Sequence, residues 1–286
     1  MDMPANIVQK SIKKQMCKIE TYEILAQFRK QLIEKIIHSL DIQPDSEGID
    51  MGCGIGTITN LLGKKIGLNG KMLGLDYDAA LIDYAGKNSA AENIRFLQGD
   101  INNLNFAADS FDWIWSMDTV WMGPKEFGCP ATAPDEMLDQ LYQILKPGGK
   151  IHLLFWTSQK LLPGYPLLEA RLNATRSANA PYRENMDSYT HVMNGIKWLS
   201  KANFDHIKAL SFVGDISGPL NENDKKALTI LFKMLWENSS KEISQDDWKK
   251  FQEIGSPDSD NFIVNQPDYY GYYTYTLFTG TKQESA

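Results

Sequence analysis

Three glycines at alternate positions, Gly52, Gly54 and Gly56, follow Asp50 in the run Gly48-Ile49-Asp50-Met51-Gly52-Cys53-Gly54-Ile55-Gly56-Thr57. Ile49 to Met51 read as the end of a buried strand. Thr57-Ile58-Thr59-Asn60-Leu61-Leu62 opens a helix whose amide dipoles point back at the turn. A ligand is expected over such a turn, because glycine tolerates the φ values of a sharp strand-to-helix connection and keeps Cβ atoms from standing between ligand and backbone. Asp50, at the mouth of the strand, is placed to orient the loop or to meet an ammonium group. Cys53, inside the loop, reads as a small packing side chain. A dinucleotide turn wants G-x-G-x-x-G, but its third glycine would fall at Thr57 or Thr59, and a pyrophosphate would come close to Asp50. The pattern suits a ligand with a zwitterionic amino-acid tail and a ribose.

Further polar residues stand at the ends of the apolar runs that follow. Lys71-Met72-Leu73-Gly74-Leu75-Asp76 reads as a strand ending in an acid, roughly twenty residues past the glycines, where a carboxylate accepts from ribose hydroxyls. Tyr77 can cover one face of a nucleoside base. Asn93 to Asp100 gives a third strand, with Asp100 placed to accept from a base amino group and Ile101 to cover the ring edge. A fourth, Ser110 to Met117, brings Ser116 and Met117 to the same edge with Asp118 at its exit. The segment from Asp118 to Ala133 is long for a strand-to-helix loop and contains Trp121, Met122 and Phe127, and such loops carry function. Asp118 and Trp121 are the candidates for contacting a second substrate. Of the four histidines, His38, His152 and His206 fall in regular elements, which leaves His191 as a candidate with access to chemistry.

The elements that must position these residues alternate. A helix from Tyr22 to about Ser39 carries Leu25, Phe28, Leu32 and Ile36 at helical spacing; Tyr22 and Phe28 face either the core or the ligand site. Asp78 to Lys87 is a helix. Pro134 opens another, which the run Lys146-Pro147-Gly148-Gly149 is expected to halt before a fifth strand at Ile151 to Trp156. Beyond it come helices at Leu167 to Ser177, Gly195 to Phe204, Asp224 to Asn238 and Ser244 to Glu253, and strands at His206 to Val213 and Tyr269 to Phe278. Strands alternating with helices specify a parallel sheet covered on both faces, whose ligands bind at the carboxyl ends of the strands. The glycine turn, Asp76, Asp100 and Ser116 to Asp118 all fall at those ends. The expected organisation is a flexible segment at 1–20 and a single domain at 21–286, with cap insertions at about 158–194 and 217–265.

Taken together, Ile49 to Thr57, Gly74-Leu75-Asp76, Phe96 to Asp100, Leu104-Asn105-Phe106, Ser110-Phe111-Asp112 and Leu145 to Lys150 resemble the small-molecule class I S-adenosylmethionine (SAM)-dependent methyltransferases. The similarity is greatest to the type 11 group, which includes the ubiquinone/menaquinone-biosynthesis C-methyltransferases, and it covers about residues 45–156. The resemblance implies an α/β fold, with a Rossmann-like seven-stranded, mostly parallel sheet, an antiparallel last strand and helical cap insertions. It implies SAM as cofactor. Gly52 and Gly54 would approach the methionine part, Asp76 the ribose, Asp100 and Ile101 the adenine, and Ser116 or Met117 the amino group, with Asp50, Cys53, Gly56 and Tyr77 completing the set. Quinone-pathway members carry Phe-Gly-Leu-Arg-Asn after the fourth strand; this chain has Ser116-Met117-Asp118-Thr119-Val120-Trp121, so family membership gives the reaction and not the acceptor.

Composition bounds the remaining choices. The 286 residues are 43% hydrophobic and 23% charged with a formal net charge of -7, ordinary for a globular protein and giving no general attraction to nucleic acid or anionic membrane. A small-molecule acceptor is the expected partner, with no nucleic acid and no membrane. Cys17, Cys53 and Cys129 are too far apart for a thiolate metal site, so no metal is expected. With no apolar leader or membrane-length run, the chain reads as cytoplasmic. A nicotinamide-dependent oxidoreductase and a SAM-binding protein without turnover are the competing readings.

Overall fold

The computed structural model describes residues 5–89, 91–122, 129, 133–182 and 184–284, with side chains from Lys18 onward. Phe127 and most of the long loop after Trp121 lie outside the described residues.

Seven strands form one sheet in the order β3-β2-β1-β4-β5-β7-β6. They are β1 (Glu47–Met51), β2 (Lys71–Asp76), β3 (Ile94–Gln98), β4 (Phe111–Met117), β5 (Leu145–Lys160), β6 (Phe204–Ser217) and β7 (Tyr270–Lys282). The pairs β1·β2, β2·β3, β1·β4 and β4·β5 are parallel, and β7 runs antiparallel between β5 and β6. This is the Rossmann-like sheet with an antiparallel last strand.

Strand β5 outruns at both ends the hydrophobic pattern that announces it. The run Lys146-Pro147-Gly148-Gly149 does not end the chain's extended course before β5; it is absorbed as an irregularity in the β4·β5 pairing, where Phe111 pairs with Leu145 and Trp113 with Lys150. Gly148 takes φ +74 there, which glycine adopts without strain. β5 then continues past Trp156 to Lys160, paired along β7 down to Tyr272. Pairing with β7 alone holds Ser158, Gln159 and Lys160 in register, polar residues that alternation would leave in a loop.

Helix α1 (Ala5–Ser39) is longer than its apolar stripe, and residues 5–20, expected to be a flexible segment, continue the helix. Its rear half is anchored by Leu25, Leu32, Ile33, Ile36 and Ile37, with Leu40 just past its end, all buried against one face of the sheet. Each such side chain contributes about 1.5–3 kcal/mol. Further forward, Lys18 and Tyr22 of the helix reach Asp78 and Gly54 at the carboxyl edge of the sheet.

Short connections place α2 (Thr57–Ile66) after β1 and α3 (Ala79–Asn88) after β2, and α4 (Asp135–Ile144) and α7 (Gly195–Lys201) bury Met137, Leu138, Leu141, Trp198 and Leu199 on the opposite face from α1. The expected insertions are helical and meet each other. The first supplies α5 (Pro166–Asn173) and α6 (Arg176–Asn179), the second α8 (Glu222–Trp236) and α9 (Gln245–Gly255). Trp236 Nε1 donates to Asn173 Oδ1 at 2.9 Å, and the Thr175 and Ser239 hydroxyls bond at 2.8 Å. Phe232, Trp236, Phe251 and Phe262 fill the space between them and continue the core under α1. Among the described residues no helix is long and apolar enough to cross a membrane.

Candidate functional site

The glycine turn sits where β1 ends, and its three glycines serve different ends. Gly52, Gly54 and Gly56 all take positive φ, at 80°, 54° and 77°. A Cβ on Gly52 would lie 2.1 Å from the Thr119 hydroxyl, and one on Gly56 would lie 2.7 Å from the Phe96 ring. Both positions are reserved for the protein's own packing. Gly54 differs: a Cβ there would meet only the Tyr22 ring of α1, at an ordinary 3.5 Å. The space in front of the turn therefore opens at Gly54 and is roofed by α1. Lys18 holds the roof to Asp78 at 2.6 Å, and Tyr84 donates to Glu23.

The acids behind the turn hold it in shape. Asp76 is 8% exposed; its Oδ2 accepts from Gly54 N at 2.9 Å and its Oδ1 from Asp78 N at 3.0 Å. Asp50 is 2% exposed, and its Oδ2 accepts from the Thr59 hydroxyl at 2.7 Å. Burial, reinforced by the nearby Asp76 charge and opposed by the Thr59 bond, pushes the Asp50 carboxyl up to about 7. A carboxyl this costly to ionise gains from an incoming ammonium group. Cys53 turns its sulfur inward, within 3.0 Å of where a Gly74 Cβ would stand, and burial pushes its thiol far up, so it packs and only its backbone fronts the turn. Helix α2 begins at Gly56 without a side-chain cap and with no acid in its first turn.

The remaining candidates line the same edge at different depths. Ser116 pairs with Met51 across β4·β1, and its hydroxyl is buried with no hydrogen-bond partner among the described residues. The Met117 carbonyl accepts from the Thr119 hydroxyl at 3.0 Å. Asp100 is exposed and accepts from Asn102 N at 2.8 Å, while Tyr77 is 73% exposed. Ile101 is buried in the cluster that includes Leu75, Val120 and Met122, so it backs the edge from inside.

Asp118, Trp121 and His191 do not come together. Asp118 takes φ +50, and its Oδ1 accepts from Trp156 N at 2.8 Å. Its Oδ2 accepts from the Tyr275 hydroxyl at 2.7 Å, with Arg29 Nη1 of α1 at 3.4 Å. Burial raises the Asp118 carboxyl and the Arg29 charge opposes that rise. Trp121 packs on the other cluster, edge-on to Phe155 at 6.3 Å and 6.4 Å from Tyr182. His191 is exposed, lies 4.5 Å from the Tyr182 ring and accepts the Met193 N–H through Nδ1 at 3.2 Å, a capping role. Partial burial of the ring lowers its basicity.

Arg29, Trp156 and Tyr275 are functional candidates that pattern reading passed over. One signal was present: Arg29 stands on the buried stripe of α1, four residues after Leu25 and three before Leu32. A charged residue inside an apolar stripe needs a partner.

A methyltransferase-domain family model, Methyltransf_31, matches residues 42–252, most of the chain. The chain belongs to the methyltransferase-domain family. Two curated relatives are the demethylmenaquinone methyltransferase of Lactobacillus johnsonii, 28% identical over 62% of this chain and 64% of that protein, and the ubiquinone/menaquinone biosynthesis C-methyltransferase UbiE of Legionella pneumophila, 32% identical over 43% and 47%. The matched region thus spans about half to two thirds of the curated relatives. Among solved structures, the methyltransferase bound to the Trm112 activator of Haloferax volcanii aligns with TM-score 0.54 and 16% identity over 96% of each chain. A SAM-dependent methyltransferase of Aquifex aeolicus gives 0.51 and 14% over 92% of this chain and 97% of that one. At such identities these two show the fold alone.

The cofactor of this methyltransferase family, SAM, fits the residues present. The orphaned Ser116 hydroxyl and the buried Asp50 carboxyl are groups of the kind an ammonium needs, and the Asp76 carboxylate at the end of β2 is an acceptor of the kind a ribose needs.

Proposed function

We propose that this methyltransferase-family protein transfers the methyl group of SAM to a small-molecule acceptor. The observation that supports this reading is the gathering of Asp50, Asp76 and Ser116 at the strand ends that carry the turn, with Asp76 bonded to Gly54, the one glycine of the turn where an added Cβ would meet nothing closer than the Tyr22 ring at 3.5 Å. Bound there, SAM supplies an electrophilic methyl group on a sulfonium. The chain's residues hold and exclude. Asp50 and Ser116 take the ammonium group, Asp76 the ribose hydroxyls, and Asp100 the base amino group, with Ile101 behind it.

Tyr22, held over Gly54 by the rigid length of α1, keeps water from the reacting atoms. Alignment of two reactants in a closed site is worth several kcal/mol, and an in-line displacement with a good leaving group draws on it directly. The names of the curated relatives point to a ring acceptor, and the aromatic residues at the Asp118 end of the site agree with one. The formal charge of -7 favours such a small acceptor over nucleic acid.

Calorimetric titration with SAM, S-adenosylhomocysteine and NAD tests the reading, repeated on Asp76→Ala with its thermal unfolding measured alongside. The expected result is binding of both sulfur nucleosides, lost in the variant while it stays folded. Binding of NAD in preference to either would replace the methyltransferase reading by the oxidoreductase one.

A further inference from the structure

Arg29, Asp118 and Tyr275 form a polar cluster at the carboxyl edge of the sheet, in otherwise apolar surroundings, and its geometry is not that of a simple ion pair. Charge-assisted contacts run to about 2.7–2.9 Å, and arginine and carboxylate usually meet through two parallel bonds. Here Arg29 Nη1 stands 3.4 Å from Asp118 and the Tyr275 hydroxyl is inserted between them, accepting from Nη1 at 2.9 Å and donating to Asp118 at 2.7 Å. Asp118 spends its other oxygen on the Trp156 backbone. Arg29 Nε caps the Leu25 carbonyl at 3.0 Å. The outcome is a guanidinium with 21% of its side-chain surface exposed, held from three sides, whose Nη2 has no partner among the described residues.

Its position is defined by α1. Arg29 lies seven residues after Tyr22, two turns along the same helix face and about 10 Å further on. Tyr22 covers Gly54, so Arg29 lies one small-ring molecule away from the cofactor end of the site. The packing around it is aromatic. Trp156 stacks on Tyr273 at 4.7 Å and 7°, Tyr275 meets Trp156 edge-on at 5.6 Å, and Phe28 lies 5.3 Å from Tyr273. Asp118 holds φ +50, a left-handed conformation that a non-glycine residue keeps where the surroundings impose it, as functional sites do.

We propose that Arg29 is the specificity residue of the acceptor site, and that the acceptor is a planar ring bearing an oxyanion, either a carboxylate or an ionised ring hydroxyl, which Nη2 of Arg29 binds. Asp118 and Tyr275 are positioning residues: they hold the guanidinium and have their own hydrogen-bonding groups turned to the protein. This rests on the methyltransferase reading above, which supplies the second substrate, and it goes further by stating the chemistry of that substrate.

The test uses the full chain saturated with S-adenosylhomocysteine, titrated by ligand-observed saturation-transfer NMR with benzoate, 4-nitrophenolate, benzamide and benzylammonium. At least one of the two anions should bind tenfold or more tighter than benzamide, with benzylammonium weakest, and which anion leads distinguishes a carboxylate from a ring oxyanion. In Arg29→Gln that preference should vanish while affinity for S-adenosylhomocysteine stays within twofold. Tyr275→Phe, which keeps the ring and removes the hydroxyl that orients Nη1, should narrow the preference without abolishing it, and it serves if the Arg29 variant does not fold. Equal binding of benzoate, 4-nitrophenolate and benzamide, a preference that survives Arg29→Gln, or no saturable binding of either anion overturns the proposal. Failure of the wild-type protein to bind S-adenosylhomocysteine would instead overturn the methyltransferase reading, so the two failures are told apart.

Discussion

His152 lies in the middle of β5, 3% exposed, with neither ring nitrogen hydrogen-bonded among the described residues. Its register partner on β4 is Trp115, whose indole N–H is also unpartnered. Burial, with a smaller push from Lys150 and a small opposing pull from Asp41, drives the imidazole from 6.5 down to about 3. The folded protein thus holds His152 neutral where the unfolded chain protonates it. Because the unfolded state then binds more protons, stability is full above pH 6.5 and falls as pH drops below it. At pH 5 the loss is 1.5 pH units at 1.36 kcal/mol each, about 2 kcal/mol, and it keeps this size for any folded-state value well below 5. Asp50 works the other way in the same window: raised to about 7, it takes up a proton in the folded state first and gains stability on acidification. Wild type alone would therefore show a muted pH profile. The clean measurement is a difference of differences: urea unfolding of wild type and His152→Leu at pH 7.5 and pH 5.0, followed by tryptophan fluorescence. Asp50, on β1 with β4 between, contributes equally to both proteins and cancels. Relative to the variant, wild type should lose about 2 kcal/mol on going to pH 5.0. A difference of differences below about 0.5 kcal/mol would refute the claim that a neutral, unsatisfied imidazole is buried there.

Two further outcomes follow from the glycine turn and its acids. Gly56→Ala should cost the fold about 1–3 kcal/mol, because the new Cβ lies 2.7 Å from Phe96 and 3.0 Å from Ala85 at a φ of +77, whereas Gly54→Ala should cost about 1 kcal/mol and act mainly on cofactor affinity. Thermal unfolding beside S-adenosylhomocysteine titration separates the two, and equal unfolding losses would contradict the division of labour among the glycines. For Asp50, an ammonium ligand binds the carboxylate form, so with the carboxyl raised to about 7 the affinity for S-adenosylhomocysteine should weaken as pH falls from 7 to 5, approaching tenfold per unit, and become flat in Asp50→Asn. A flat wild-type profile over that range would remove Asp50 from the ammonium site.

The sheet and the cofactor edge were legible because their signals are local. Ile49 to Met51 before Gly52, Lys71 to Asp76, and Phe111 to Met117 are apolar runs ended by glycine or acid, and a parallel sheet brings such ends to one edge whatever else the chain does. What stayed hidden depends on pairs distant in sequence. Lys146 to Gly149 look like a stop, yet the extended course continues through them because the flanking Leu145 and Lys150 pair with Phe111 and Trp113 of β4 and the four residues between are taken up as an irregularity. Gly52 and Gly56 look like ligand clearance in one dimension, yet the space they leave is filled by Thr119 and Phe96. Asp118 has near neighbours that suggest a substrate contact; its actual partners, Arg29 and Tyr275, stand 89 residues before and 157 after it. Hydrophobic periodicity and turn chemistry act over a few residues and so fix the elements and the end at which a ligand binds. The partners of a buried charge are decided by which helix lies over the edge and which strand inserts beside β5, and both are settled only when the whole core packs.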